Sequence, residues 1–110
     1  MSTAKRAGHR VLVNTTLYKG SDLEDIEQLF TLLGQVPVDG IMVAPAFGYQ
    51  EVDGDVFLDR QEAVAAFQAL YALRDRFRFY NTPFYLDFLA GMTELACVPW
   101  SCPTRNPKGW

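Results

Sequence analysis

The chain has 110 residues, 49% of them hydrophobic and 21% charged, which fits one small globular domain and excludes a disordered one. Its net charge of −3 argues against a nucleic-acid binder, which needs a basic stripe to displace counterions. No apolar run approaches the ~18–20 residues that cross a bilayer, and the N-terminus lacks the apolar core of a signal peptide. Two cysteines and no export signal make the expected compartment cytoplasmic with reduced thiols.

Residues 1–8 read as the last turns of a helix, with basic residues before a stop at Gly8. A chain that starts inside a helix and stops abruptly at Trp110 is expected to be a piece of something larger. Val11 to Leu17 reads as a strand, whose consecutive Val11, Leu12 and Val13 suit burial on both faces of a parallel sheet. Ser21 and Glu24 have the spacing of a capping box and predict a helix start. Leu23, Ile26, Phe30 and Leu33 recur at helical period, and Gly34 lies near the stop.

Asp39-Gly40 leads into a second short buried strand, Ile41 to Val43, which Ala44-Pro45 ends. Residues 46–58 predict a long loop. Asp59 and Glu62 repeat the capping-box spacing before a long helix with Ala63, Phe67, Leu70 and Leu73 or Phe77 on one side. Phe77 to Tyr80 predicts a third strand. Thr82 suits an N-cap and Pro83 the first position of a helix that runs through Tyr85, Phe88 and Leu89 to Gly91. Leu95 to Val98 reads as a fourth strand or an extended segment.

Alternation of strand and helix implies βαβ units and a parallel sheet. Each strand ends in polar or special residues: Asn14 to Thr16, Pro45 to Tyr49, and Asn81 to Pro83. In parallel α/β folds such ends share one edge, where ligands bind.

Cys97 and Cys102 form a C-x4-C pair, too few ligands for zinc or an iron–sulfur cluster. They read first as two ordinary thiols, and otherwise as a thiol facing a reaction centre. No Ser-His-Asp, Cys-His or H-E-x-x-H arrangement is present, and a single histidine, His9, limits such chemistry. Glu51, Asp53, Asp55 and Asp59 lack EF-hand spacing and read as a solvated loop. The aromatics Phe77, Phe79, Tyr80, Phe84, Tyr85 and Phe88 suit a core, and their density is compatible with an apolar cavity.

The segments VNTTLY (13–18), VDGIMVAP (38–45), FLDR (57–60), YLDFLAG (85–91) and PTRNPKGW (103–110) occur in an order that resembles the later part of the hopanoid-biosynthesis radical S-adenosylmethionine proteins, of the adenosylhopane synthase type. The match is collinear and covers nearly the whole chain. Two departures stand out: Pro45 is followed by Ala46, Phe47, Gly48, Tyr49 and Gln50 instead of Gly-Tyr-x-Tyr-Glu, and Cys102 precedes Pro103-Thr104.

The resemblance implies an α/β fold: a fragment of a partial (β/α) barrel with parallel strands. Residues 1–91 would form late βα units and 92–110 the start of a C-terminal extension. It implies S-adenosylmethionine and a [4Fe–4S] cluster as cofactors, and addition of a 5′-deoxyadenosyl group to a hopene-type lipid. The family's C-x3-C-x2-C cluster loop is absent from this sequence, so the chain alone is expected to be inactive. By the same resemblance Asn14 and Thr16 would contact S-adenosylmethionine. Pro45, Tyr49, Asn81, Phe84 and Phe88 would border the lipid-like substrate, and Thr82 would border it or serve only as a helix cap. A lipid substrate would bring the protein to a membrane periphery. The alternative is a free-standing α/β binding module derived from such a barrel. It would self-associate through exposed edge strands around Val11 to Leu17 and near Leu95.

Overall fold

The structure is a computed structural model, and it describes residues 2–46, Gly48, 54–96 and Val98. Its order is α1 (Ser2–Arg6), β1 (Leu12–Leu17), α2 (Leu23–Gly34), β2 (Gly40–Pro45), a 3-10 turn (Gly54–Val56), α3 (Arg60–Tyr71) and α4 (Pro83–Leu89). Helix α1 ends as its sequence dictates, with Gly8 at φ 82. The chain is mixed α/β, and its two strands pair in parallel in one sheet, Leu12 opposite Gly40 through Leu17 opposite Pro45.

The third strand expected over Phe77 to Tyr80 is reduced to a single parallel bridge between Phe79 and Ile41. Ile41 donates its N–H to the Arg78 carbonyl at 2.9 Å, and Tyr80 donates to the Ile41 carbonyl at 2.7 Å. One residue further on, the Asn81 side chain takes over: Val43 N–H donates to Asn81 Oδ1 at 2.8 Å, and Asn81 Nδ2 donates to the Val43 carbonyl at 2.9 Å. The segment thus runs as a strand for one bridge and then turns into α4. Of the two readings for Leu95 to Val98, a fourth strand or an extended segment, the strand is absent at Leu95, Ala96 and Val98, and Cys97 lies outside the described residues.

The start of α2 also differs from expectation. Asp22, not Ser21, is the N-cap, and its carboxylate accepts from Glu24 N–H at 2.9 Å. The Ser21 hydroxyl instead accepts from Tyr18 N–H at 3.0 Å, closing a turn in which Gly20 takes φ 79. That turn consumes Ser21 before it can cap. At α3 the expected capping box is present: Asp59 accepts from Glu62 N–H at 2.8 Å, and the Glu62 carboxylate accepts from Asp59 N–H at 2.9 Å. Helix α3 stops at Tyr71, short of Leu73 and Phe77. Thr82 caps α4, with Pro83 in its first turn and Gly91 at φ 73 beyond its end.

The core gathers Leu17, Ile41 and Val43 from the strands, Ile26, Phe30 and Leu33 from α2, Phe67 and Leu70 from α3, and Leu86 and Leu89 from α4. Phe30 is fully enclosed and meets Phe77 and Phe79 edge-on, with centroids 5.5 and 5.6 Å away. These contacts hold the short third segment against the helices. Leu23, expected on the core stripe of α2, is exposed instead.

All the helical core residues meet one face of the sheet. Strand side chains alternate between faces, so Val13, Thr15, Leu17, Ile41, Val43 and Pro45 point to the helices, and Leu12, Asn14, Thr16, Met42 and Ala44 point the other way. Burial agrees: Leu17, Ile41 and Val43 are buried, while Asn14, Thr16 and Met42 are exposed. Val11 to Val13 are therefore only half-buried, where burial on both faces was expected. None of α2, α3 and α4 covers the second face, where Asn14, Thr16 and Met42 are exposed.

Candidate functional site

The bare sheet face carries the residues to which the sequence points most directly. Asn14 and Met42 are register partners, as are Thr16 and Ala44. Partners in adjacent strands lie about 4.8 Å apart along the hydrogen-bonding direction, so each pair forms one row of the face. By the same alternation from the Ile41–Phe79 bridge, Tyr80 belongs to this face, and its side chain lies over Gly40.

Gly40 fixes how Tyr80 sits. A Cβ at Gly40 would meet the Tyr80 Cβ at 3.0 Å and the Arg78 carbonyl at 3.4 Å, so only glycine lets Tyr80 lie this close to β2. The Tyr80 hydroxyl accepts from Arg10 Nη1 at 3.1 Å, and the Arg10 guanidinium stands 6.0 Å from the ring centroid. Arg10 and Tyr80 thereby bridge the face at the N-terminal end of the strands. Above them stand an amide (Asn14), a hydroxyl (Thr16), a thioether (Met42) and a methyl (Ala44).

The other expected site residues are dispersed. Pro45 ends β2, half-buried and opposite Leu17. The Asn81 amide is committed to the Val43 backbone on both of its functional groups. Phe88 packs against the helix-side core under the Arg60 guanidinium, 4.9 Å from its ring. Phe84 is 59% exposed in the first turn of α4. Tyr49, Cys97 and Cys102 lie outside the described residues. Asp55 and Asp59 serve the fold: Asp55 pairs with Lys19 at 3.3 Å and Asp59 caps α3, while Glu51 and Asp53 lie outside the described residues.

Met42 is the member of this face that sequence reasoning missed; Tyr80 was named there only among the aromatics compatible with an apolar cavity. Ile41 to Val43 read as a continuous apolar run, which hid the outward direction of its middle residue. The available signal was parity: Met42 sits in register with Asn14, already singled out.

Cavities lie elsewhere. One, of about 460 Å³, runs along α2 at Glu24, Glu27, Gln28, Thr31 and Leu32. Another, of about 260 Å³, lies near Phe30, Leu33, Val38 and Phe77, and a third, of about 120 Å³, opens between Leu17, Ile26, Leu58 and Ala66 on the helix side. None of these three is lined by Asn14, Thr16, Pro45, Asn81, Phe84 or Phe88.

Electrostatics around the sheet are structural. Lys5 Nζ holds the Asp39 carboxylate at 2.7 Å, and Val11 N–H donates to it at 2.7 Å. The Lys5 hydrogen bond first, and the Val11 N–H second, hold the Asp39 pKa below its ordinary value. Hydrogen bonding to Asp55, with Glu62 nearby, raises Lys19. Hydrogen bonding to Asp87, then desolvation, raises the Tyr71 phenol. Among the described residues no group of three His, Cys, Asp or Glu is placed to hold a metal ion. No helix among them is long and apolar enough to cross a membrane.

Comparison with known proteins gives one family. No curated protein and no solved structure matches the chain. Residues 41–110, from β2 through the last residue, match a family described as a domain of unknown function, DUF3463. That match spans more than half of the sequence and includes half of the bare face, Met42, Ala44 and Tyr80, so the chain belongs to the DUF3463 family.

Proposed function

We propose that the chain supplies late βα units to a radical S-adenosylmethionine enzyme acting on a hopene-type lipid, and that its bare sheet face is one wall of the cofactor pocket. The observation that carries this reading is the face itself. A parallel sheet is ordinarily covered on both sides, and here the uncovered side presents the exposed Asn14 and Thr16. Sequential parallel pairing with α2, α3 and α4 on one side is also the arrangement of a (β/α) barrel wall, whose other side faces the interior. The collinear segments VNTTLY, VDGIMVAP and YLDFLAG support the same family.

The donor set fits S-adenosylmethionine. Asn14 offers both an amide donor and a carbonyl acceptor, and Thr16 a hydroxyl that does either, which suits ribose and amino-acid groups. Strand backbone fixes both directions, so little ordering is left to binding. The Arg10–Tyr80 contact closes the N-terminal end of the face, and the helices exclude water from its back. The cluster does not fit the described residues, which hold no metal-binding group, so in this reading its ligands come from a C-x3-C-x2-C segment elsewhere in the protein. When bound, S-adenosylmethionine supplies radical chemistry at its adenosyl 5′ carbon, and this chain's part is to position it.

Reading the coding sequence on either side of these 110 residues is the first test. An in-frame C-x3-C-x2-C segment is expected. The whole product, purified without oxygen and given a reductant, should form 5′-deoxyadenosine from S-adenosylmethionine. A complete reading frame with no such segment overturns the proposal.

A further inference from the structure

We infer that residues 99–110 of this chain dock along the outer stripe of α2. A hollow of about 460 Å³ runs along that helix, and its described lining is Glu24, Glu27, Gln28, Thr31, Leu32 and Gln35. These positions recur at three- and four-residue spacing, so they form one stripe of a single helix. It lies opposite the buried stripe of Ile26, Phe30 and Leu33. A helix is convex and encloses no hollow alone, and no other described element lines this one. What covers the stripe must follow about 18 Å of helix and must suit its charge.

The stripe is acidic, with exposed apolar area. Glu24, Asp25 and Glu27 are the only charged residues of α2. Arg76 pairs with Glu27, while Glu24 and Asp25 enter no ion pair among the described residues. Leu32 is 58% exposed within the stripe. A second copy of α2 would bring like charges together, which disfavours self-pairing. Residues 49–53 carry Glu51 and Asp53, the wrong sign, and are too few to follow the helix. Residues 99–110 have the right sign: Arg105 and Lys108, with no Asp or Glu. They also include both tryptophans of the chain, Trp100 and Trp110, whose rings are large enough to cover Leu32. Pro99, Pro103 and Pro107 restrict the free segment and so lower the entropy lost on docking. Twelve extended residues reach roughly 40 Å, as far as the molecule's longest extent of 38 Å, so α2 is within range of Val98.

The test uses the full 110-residue chain. Cys97→Ser leaves Cys102 as its only thiol, and a nitroxide attached there broadens nearby amides in the nitrogen-15 spectrum. The amides of Gln28, Leu32 and Gln35 are expected to broaden more than those of Gln61 and Ala65 on the exposed side of α3. No broadening, or equal broadening on both helices, overturns the proposal. Broadening that appears only between a nitroxide-bearing chain and a separate nitrogen-15 chain makes a second copy the occupant and overturns it too. Tryptophan emission reports on the same segment, because both tryptophans lie in it. It is expected to lie to the blue of the free peptide 99–110. In Leu32→Lys, and in Gln28→Lys, it should move to the value of the peptide, with the far-UV circular dichroism unchanged because both positions are exposed. Emission that stays at the parent value in both variants overturns docking on α2.

Discussion

Asn81 completes the hydrogen bonding of Val43 with its side chain, accepting the Val43 N–H at 2.8 Å and donating to the Val43 carbonyl at 2.9 Å. Had the third segment continued as a strand, the Tyr80 carbonyl and the Thr82 N–H would have filled those roles in the parallel ladder. Thr82 is needed elsewhere, as the N-cap of α4. Asn81 lets the chain leave the sheet one residue early without abandoning two backbone groups of a buried residue. Asn81→Ala should therefore destabilise the fold by about 1–3 kcal/mol, the cost of leaving such groups unsatisfied. Urea unfolding of both proteins measures it. Asn81→Asp, which keeps the acceptor and loses the donor, should fall between them.

Gly40→Ala tests the close approach beneath Tyr80. The new methyl would stand 3.0 Å from the Tyr80 Cβ, so the ring must move. A loss of about 1–3 kcal/mol is expected, as for other overpacked sites. Nuclear Overhauser contacts between Arg10 and Tyr80 should weaken in the same variant.

Asp39 sets an acid limit. Its folded pKa lies below the ordinary 3.8, so the unfolded chain takes up the proton first as pH falls. The stabilisation is complete above 3.8 and is lost as pH drops through the lower, folded value. Asp39→Asn should be less stable at neutral pH, and its melting temperature should change less than that of the parent between pH 5 and pH 3. A parallel slope in the two proteins would remove Asp39 from the acid transition.

Phe30 is the keystone of the helix-side core, enclosed completely and meeting both Phe77 and Phe79. Phe30→Ala should cost about 3–5 kcal/mol. Because the two rings that it touches carry the third segment, the Phe79 bridge to Ile41 should loosen with it, visible as faster exchange of the Tyr80 amide.

Asn14→Ala and Thr16→Val should behave in the opposite manner. Both side chains are exposed, so stability should stay within about 0.5 kcal/mol of the parent. Binding of S-adenosylmethionine, by calorimetry, should fall at least tenfold in each.

Local signals in the sequence carried the fold where chemistry is local. The capping box at Asp59 and Glu62, the Thr82-Pro83 helix start and the Gly8 stop each depend on neighbours within four residues, and each is present. Ser21 failed as a cap because its hydroxyl had a competing local partner, the Tyr18 N–H. The third strand shrank for a nonlocal reason: nothing in Phe77 to Tyr80 reveals that Asn81 will bond to Val43, 38 residues away. At the candidate site, Asn14 and Thr16 were legible as polar strand-end residues. Met42 was not, because the face to which a strand residue points depends on which side the helices cover, and Tyr80 was legible only as one of six aromatics.

The double clamp on β2 also has a consequence in time. This strand is held by β1 on one edge and by residues 78–81 on the other, and the Ile41 and Val43 N–H groups both donate to the second edge. Those two amides are therefore freed when residues 78–81 lift away, and their hydrogen exchange reports that local opening even while β1 stays paired. During synthesis the order runs the other way. β2 leaves the ribosome before residues 78–81, so the edge that Asn81 closes is the later of its two to be supplied.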